Sequence, residues 1–459
     1  MHVAIEDSGS LVLRKPEMEL IAKYGGPVPR YTSYPTAIQF HAGVDAATVN
    51  GWLGTLRDAG EASLYLHMAY CKSLCLYCGC NMKVTNKQDT ITAYVNVLID
   101  EMRRTAALLP ERLKVGAIHL GGGTPSYVPM KDLRRVFAVM HELFDVKAGA
   151  EISMEIDPRQ LVDGMPALLG ELGFNRASLG IQDTNSTVQN VIRRVQPQAL
   201  NVRAVTQLRE AGVQDINVDL LYGLPMQTPE TMRQTVADIQ ELRPSRIALF
   251  GYAHVPWMKK HQAVLEEYNL PDAEARLDIF NTAVEALTKA GYVAVGIDHF
   301  CLPTDPMAIA AKDGDLKRNF MGYTTDAAPV LLGFGASAIS QYPQGYAQNI
   351  TAPADYLDAM EKPGLPIARG VAVDAGDMAR RGVIEQLLCG MRAEGHALDE
   401  LLVQRERLND MVQDGLAEWQ GDTLRVTEKG RPFARAVAAC FDAYLGKGAS
   451  TAGRHSKGV

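Results

Sequence analysis

No apolar run in this sequence approaches the length needed to cross a bilayer. The opening residues, MHVAIEDSGSLVLRKPEMEL, hold no uninterrupted apolar stretch, so they do not read as a secretory leader. Positive charge is not in excess: 46 Lys and Arg stand against 53 Asp and Glu, for a net charge of −7 and a pI near 5.9. That balance excludes the broad basic face expected of a nucleic-acid-binding protein and leaves room only for a local basic pocket. Cysteine is scarce, with seven in 459 residues. An odd, clustered set excludes a disulfide framework and fits a reducing cytoplasm. No internal repeat is present beyond an alternation of short apolar runs with helical patterns.

Three of the seven cysteines fall within eight residues, Cys71-Lys72-Ser73-Leu74-Cys75-Leu76-Tyr77-Cys78, and Cys80 follows. Cys-x3-Cys-x2-Cys offers three thiolates to a cubane that has four irons. The fourth iron is then open to a small molecule, which predicts the chemistry of a radical S-adenosylmethionine (SAM) enzyme. Two other readings of the spacing stand beside it. Zinc knuckles come as paired Cys-x2-Cys units, but Cys301, Cys389 and Cys440 stand alone. Cys75 and Cys78 by themselves can also form a redox pair.

Apolar runs at Ser63–Met68, Val115–Leu120, Glu151–Ile156, Arg176–Ile181, Ile216–Tyr222, Arg246–Tyr252 and Tyr292–Asp298 read as strands. Amphipathic helices separate them, over Asp89–Leu109, Met130–Phe144, Gln160–Leu172, Asn201–Ala211, Pro229–Leu242 and Asp272–Ala290. Strand–helix–strand units at this spacing predict an α/β fold with a parallel sheet and right-handed crossovers, either an incomplete barrel or an open doubly wound sheet. After about Gly370 the pattern becomes helix (Arg380–Met391), helix (Ala397–Asp414), hairpin (415–426) and a last helix from Thr427 to about Leu445. That order resembles a winged-helix module; the segment is not notably basic, so it suits packing or a lid rather than DNA. The tail Gly446–Val459 is expected to be disordered.

Sites on parallel α/β barrels lie at the C-terminal strand ends, and the polar motifs fall there. Gly122 and Gly123 let backbone groups approach a ligand ammonium, with Thr124 adding a hydroxyl, although the run is equally a plain tight turn. Glu155 can accept from an ammonium or be an ordinary solvated carboxylate. Arg194, beyond Gln182-Asp183, can clamp a carboxylate bidentately or lie on the surface. Asp219 suits ribose hydroxyls or a loop cap. Tyr65 and Tyr77 flank the cysteines and can line an adenine or simply pack.

These motifs, taken in order, resemble a known family. Pro29-Arg30-Tyr31-Thr32-Ser33-Tyr34-Pro35-Thr36 stands first, then Tyr65-x-His67 and the cysteine motif ending Cys78-Gly79-Cys80. Gly121-Gly122-Gly123-Thr124-Pro125, Glu155-x-Asp157-Pro158-Arg159 and Gly180-Ile181-Gln182-Asp183 follow. Next come Asp219-Leu220-Leu221-Tyr222-Gly223-Leu224-Pro225, Tyr252-Ala253-His254, Asp298-His299-Phe300 and Gly335-x-Ser337-Ala338-Ile339-Ser340. From about residue 20 to 445 the chain is similar to the oxygen-independent coproporphyrinogen III oxidase family, coproporphyrinogen dehydrogenases of the radical SAM superfamily.

The resemblance implies a partial (β/α)6 TIM-like barrel at 61–370, with an N-terminal extension, 1–60, covering its mouth. A mostly helical, winged-helix-like domain, 371–445, and a disordered tail, 446–459, complete the chain. It implies Cys71, Cys75 and Cys78 as ligands of a 4Fe–4S cluster, Cys80 as a non-ligand, and two SAM molecules. Tyr65, Gly122, Glu155 and Ile339 fall to the cluster-bound SAM; Tyr77, Gly123, Thr124, Gln182, Arg194, Asp219 and Ala253 fall to the second. A radical carried by the cofactor, and no protein catalytic group, converts two propionates of coproporphyrinogen III to vinyl groups, giving protoporphyrinogen IX. A flavodoxin-type electron donor, a monomer, a cytoplasmic location and no nucleic-acid or membrane partner go with it. Arg30 is a candidate for a substrate carboxylate or for pinning the N-terminal segment. The alternatives are a haem-binding chaperone and a haem-degrading radical methyltransferase of the same superfamily. Departures from the family pattern are Met68-Ala69-Tyr70 before the first cysteine, Thr184 where an aromatic is expected, and Cys301 where a small apolar residue is common.

Overall fold

The computed structural model describes residues 18–395 and 397–445. The expected disordered tail, 446–459, lies outside these residues, as do residues 1–17 of the N-terminal segment.

The chain enters through α1 (Met18–Tyr24) and α2 (Ala46–Gly54) into β1 (Glu61–Met68), followed by the short parallel pair β2 (Tyr70–Cys71) and β3 (Lys83–Val84). It continues through α3 (Gln88–Leu108), β4 (Lys114–Gly122), α4 (Met130–Leu143), β5 (Asp145–Ile156), α5 (Met165–Glu171) and β6 (Arg176–Gln182). Then come α6 (Ser186–Val191), α7 (Gln198–Glu210), β7 (Asp215–Tyr222), α8 (Pro229–Leu242), β8 (Arg246–Gly251) and α9 (Ala273–Lys289). The hairpin β9 (Val293–Val295) and β10 (His299–Cys301) leads to α10 (Pro306–Asp313) and a second hairpin, β11 (Lys317–Asn319) with β12 (Gly322–Thr324). β13 (Val330–Phe334), β14 (Ile339–Tyr342), β15 (Gly345–Asn349), α11 (Pro353–Met360) and β16 (Ile367–Ala372) complete the main sheet. Twelve strands lie in the order β16-β15-β14-β13-β1-β4-β5-β6-β7-β8-β10-β9. The run from β13 to β8 is parallel, and both flanks are antiparallel. The fold is therefore α/β around a large, mostly parallel sheet.

Side-chain parity organises this sheet, because successive strand residues point to opposite faces. Val115, Ile118 and Leu120 of β4, Ile152 and Met154 of β5, Leu179 of β6, Val218 of β7 and Ile247 of β8 are buried in the main apolar core with the helices. The opposite parity is polar: His119, Ser153 and Glu155, Ser178, Asn217 and Asp219 line a cavity of about 300 Å3. Burying one full Leu or Ile contributes about 2 kcal/mol, so the apolar parity fixes which face meets the helices and hence which side chains surround the cavity.

Beyond Asp374, which caps α12 (Ala375–Gly390) through the Asp377 amide, the chain builds a three-stranded antiparallel sheet. Its strands are β17 (Arg392–Glu394), β18 (Ala417–Gln420) and β19 (Thr423–Val426). It is accompanied by α13 (Leu398–Leu401), α14 (Arg405–Gln413) and α15 (Ala434–Ala439). Their apolar side chains form a separate core that also takes in Tyr24, Tyr31 and Tyr34 of the N-terminal segment.

Several expected elements are corrected. The strand at Tyr292–Asp298 is only three residues long and turns back at Gly296 (φ +60°), so β10 runs antiparallel instead of extending the parallel sheet. The helix expected over Gln160–Leu172 begins at Met165, after a left-handed Gly164 (φ +84°) and with Pro166 in its first turn. The helix over Ala397–Asp414 is broken, because the Val403 and Gln404 amides both donate to the Cys440 carbonyl. The last helix shortens to Ala434–Ala439 and is entered through a 3-10 turn over Arg431–Phe433 with Pro432 inside it. The strands β13–β16, antiparallel to one another, were not anticipated.

One buried carboxylate holds the new flank to the sheet. Glu101 of α3 accepts from the Gly335 amide at 2.8 Å, Asn349 Nδ2 at 2.6 Å and the Tyr356 hydroxyl at 2.6 Å. Burial pushes its acid up to about 7. Glu101→Ala strands three buried donors. It is expected to cost about 3 kcal/mol or more, seen as a lower midpoint of thermal or urea unfolding; an unchanged midpoint contradicts this role.

Candidate active site

The cysteine loop leaves β1 and is lashed to the glycine loop that leaves β4. The Gly123 amide donates to the Met68 carbonyl at 2.7 Å, and the Thr124 amide to the Tyr70 carbonyl at 3.0 Å. Gly123 has no space for a side chain, since a Cβ there would meet both carbonyls at 2.7 Å. The substituted triplet Met68-Ala69-Tyr70 is thus anchored by its own carbonyls without a proline. Tyr70 packs edge-on against Tyr94, with ring centroids 5.5 Å apart.

Each of the three expected ligand sulfurs already accepts a hydrogen bond. Thr124 Oγ1 donates to Cys71 Sγ at 3.2 Å, and the Cys80 amide to Cys78 Sγ at 3.4 Å. Two guanidinium groups reach Cys75 Sγ: Arg159 Nη2 at 3.3 Å and Arg194 Nη1 at 3.6 Å. Burial pushes the Cys71 thiol up to about 12, so that thiolate needs a cation to persist. The side-chain hydrogen bond from Cys80 brings Cys78 down to about 7, while Cys80 itself is held well above the ordinary thiol value. Among the described residues no three His, Cys, Asp or Glu side chains converge on a single ion. A cubane does not ask for that, since each thiolate binds a different iron. Three thiols on one loop, with cationic and neutral donors aimed at their sulfurs, fit an anionic iron–sulfur cluster.

Tyr65, Gly122, Glu155 and Ile339 are brought to one wall. Glu155 Oε2 accepts from the Gly122 amide at 3.0 Å. A Cβ at the neighbouring Gly121 would meet Glu155 Oε1 at 3.0 Å and the Tyr65 ring at 3.1 Å, so these side chains close over the glycines. Tyr65 stands opposite Gly333, which is backed by the Ile339 backbone. Burial works against the Glu155 carboxylate, but His119 and the Gly122 amide outweigh it and keep its pKa below the usual carboxylate value.

The second group is also assembled, with one correction. A Cβ at Gly180 would lie 3.0 Å from Gln182 Nε2 and 3.1 Å from Arg194 Nη2. Asp219 accepts from Asn217 Nδ2 at 2.9 Å and the Ser178 hydroxyl at 3.3 Å. Burial and the repulsion of Glu155 push its acid up to about 6. Tyr77 and Gly123–Thr124 belong to the two lashed loops, and Ala253 follows β8. Arg194, however, is not the free bidentate clamp expected. It is buried, Nη1 pairs with Asp157 Oδ2 at 3.3 Å, and Nη2 donates to the Gly180 carbonyl. Only its Nε, buried without a partner, is uncommitted. The charge of Asp157, the residue that follows β5, captures it. Thr184 is accommodated too: its hydroxyl donates to Asp238 Oδ2 at 2.5 Å, a polar contact where an aromatic was expected. Cys301 is fully buried in a small apolar cluster.

His67 and His119 were missed as site residues. His119 stacks on Tyr65 with centroids 5.9 Å apart, and His67 Nδ1 lies 3.1 Å from the Tyr65 hydroxyl. Their signal was parity: both share strand faces with Tyr65 and Glu155. A strap over 254–268 was missed as well. Gln262 donates to the Tyr77 carbonyl at 2.9 Å and Lys259 to that of Cys80 at 2.9 Å, while His261 Nε2 lies 2.8 Å from the Cys78 carbonyl.

A radical SAM superfamily model matches residues 65–239. Over 450 residues the chain is 41% identical to an oxygen-independent coproporphyrinogen III oxidase of Bradyrhizobium diazoefficiens, covering 96% of this chain and 99% of that one. Proteins of the same name from Paracoccus denitrificans and Escherichia coli are 39% and 37% identical over 93% and 94% of this chain, and 96% and 95% of theirs. The solved Escherichia coli coproporphyrinogen III oxidase, described as a radical SAM enzyme, superposes with a TM-score of 0.88 at 35% identity. That alignment covers 93% of this chain and 99% of the other.

Gly122 offers a sharp test of the site's tight build. Its φ is +106°, and a Cβ would lie 2.4 Å from the His67 ring. Gly122→Ala is expected to weaken SAM binding to the reconstituted protein tenfold or more by equilibrium dialysis; affinity within twofold of wild type contradicts the arrangement.

Proposed function

This chain belongs to the oxygen-independent coproporphyrinogen III oxidase family of radical SAM enzymes, and from that membership we propose what each of its site residues does. The reaction is the oxygen-independent oxidative decarboxylation of coproporphyrinogen III, with a 4Fe–4S cluster and SAM as cofactors. With cluster and SAM bound, the site would supply radical chemistry able to take a hydrogen atom from a propionate β-carbon, the propionate then becoming a vinyl group by loss of carbon dioxide and transfer of one further electron to an external acceptor. Two such rounds give protoporphyrinogen IX.

Cys71, Cys75 and Cys78 hold the cluster, and Cys80 stays a thiol that donates toward Cys78. Tyr65, Gly122, Glu155 and Ile339 receive the cluster-bound SAM, with the ionised Glu155 facing its ammonium. Tyr77, Gly123, Thr124, Gln182, Arg194, Asp219 and Ala253 receive a second SAM, in which Asp219 accepts from ribose hydroxyls and Arg194 contributes through Nε and its charge. Arg30 takes one substrate carboxylate. Its guanidinium carbon lies 5.9 Å over the Phe250 ring, and the residue lines the same cavity as Glu155 and Asp219. The observation that carries the assignment is the Thr124–Cys71 contact together with the Gly122–Glu155 contact, which places the thiols and the expected ammonium acceptor on either side of one glycine loop.

Residues 61–370 make up the partial (β/α)6 barrel, and 371–445 a winged-helix-like packing module. Arg431 Nη2 of that module donates to the Ala294 carbonyl at 2.9 Å, which supports a role in packing. Residues 18–60 cover the barrel mouth. A flavodoxin-type donor supplies electrons to a cytoplasmic monomer. Among the described residues no helix is long and apolar enough to cross a membrane.

Anaerobic reconstitution with iron and sulfide, then reductant, SAM and coproporphyrinogen III, is expected to yield protoporphyrin after oxidation. Retained haem without turnover would favour a chaperone, and a ring-opened product a methyltransferase. A second outcome follows from Asp219. Its acid is raised to about 6, so it is ionised at pH 7 and gains a proton as pH falls through 6, losing acceptor capacity. SAM binding should weaken threefold or more between pH 7.5 and 5.5, and Asp219→Asn should flatten that profile; an unaltered profile in the variant contradicts the role.

A further inference from the structure

A second cavity, of about 540 Å3, opens beside the one that contains Glu155 and Asp219. Three distant parts of the chain bound it: α1, the ends of β7 and β8 with α9, and the segment carrying α15. Its walls are largely apolar, with Leu249, Leu277 and Phe280 among them. Into this apolar space come three arginines, Arg30, Arg276 and Arg435. The two cavities share Arg30, Phe250 and Asp298 in their walls, so they adjoin.

Arg276 is built in with care. Its Nη1 donates to the Tyr252 carbonyl at 3.2 Å, and its Cζ lies 5.5 Å over the Tyr222 ring. A Cβ at Gly223 (φ +83°) would sit 2.3 Å from Arg276 Nη1, and one at Gly251 would sit 3.2 Å from Nη2. Two glycines therefore keep room for this guanidinium at the strand ends. The wall's carboxylates are engaged within the protein: Asp298 lies 2.7 Å from His299 Nδ1, and Asp272 accepts from the Ala275 amide at 2.9 Å. Burial and the neighbouring charges of Arg30 and Arg318 bring Arg435 down to about 10.

An apolar chamber with several guanidinium groups, contiguous with the SAM cavity, suits a flat apolar macrocycle carrying carboxylates at its rim. Guanidinium forks recognise carboxylates bidentately. Resting on the reaction assigned above, we propose that this chamber binds the tetrapyrrole and that Arg276 and Arg435 hold the propionate carboxylates not undergoing oxidation. The propionate in reaction then extends past Arg30 and Phe250 toward SAM. The module after residue 371 contributes a substrate contact through Arg435.

The test is binding of coproporphyrin III, an air-stable tetracarboxylate, to the anaerobically reconstituted holoenzyme, read by porphyrin fluorescence; its tetramethyl ester serves as the uncharged probe. Arg276→Ala and Arg435→Gln are each expected to weaken coproporphyrin III binding tenfold or more and to leave ester binding within twofold. Arg276→Lys, which keeps charge and stem, should lose threefold or more, and it carries the test if an alanine variant does not fold. Coproporphyrin III binding within twofold of wild type in both Arg276→Ala and Arg435→Gln overturns the proposal. Equal loss of acid and ester overturns the carboxylate role. Should wild-type enzyme form no vinyl product while binding still depends on these arginines, the assigned reaction fails and the carboxylate site stands.

Discussion

The parity of the parallel strands is the constraint on which the rest of the structure depends. β4 to β8 place aliphatic side chains on one face, where the helices bury them, and the alternate residues on the other. A shift of one residue in any strand would bury its polar set and expose its apolar one. The same burial that stabilises the fold therefore aims His119, Glu155, Ser178 and Asp219 into one cavity. No separate device is needed to gather them. The cost is electrostatic: Glu155 and Asp219 repel across the cavity they line, and the site resolves this by lowering one acid and raising the other.

The loops at the strand ends add what parity cannot. Backbone bonds from Gly123 and Thr124 to the Met68 and Tyr70 carbonyls tie the cysteine loop to β4, and the strap over 254–268 ties its far side. Small residues matter here because carbonyls and guanidinium groups occupy the places where side chains would stand. Gly123, Gly180 and Gly223 serve three such approaches, to the loop carbonyls, to Arg194 and to Arg276. Cationic charge converges on Cys75 from Arg159 and Arg194, which suits a cluster whose thiolates carry net negative charge.

Much of this was legible in the sequence. Pro229–Leu242 was placed to the residue by a Thr228 cap and a proline in the first turn, and β1 and the strands from β4 to β8 were located by their apolar runs. The thiols, the glycine loop and Glu155 were identified by type and spacing, and they do meet. Long-range pairings were harder to see. The Arg194–Asp157 pair joins two loops with no local signal, so a bidentate ligand clamp was expected where a protein carboxylate sits. β13–β16 escaped because their short, glycine-punctuated runs lack helical crossovers. Beyond the pairing of β13 with β1, they are tied to α3 by Glu101, a charged residue inside a helix that pattern alone assigns to solvent. The chamber's arginines, Arg30, Arg276 and Arg435, stand more than 150 residues apart in the chain, a juxtaposition that only the fold creates.

The central claim is that three thiolates of one loop hold a four-iron cluster with one iron left for SAM. Mössbauer spectroscopy of the anaerobically reconstituted protein, recorded with and without SAM, addresses it most directly. The account predicts a cubane in which one iron site changes its isomer shift when SAM is added while the other three do not. A spectrum in which all four irons are thiolate-bound and indifferent to SAM, or a protein that retains zinc in place of iron, would contradict it.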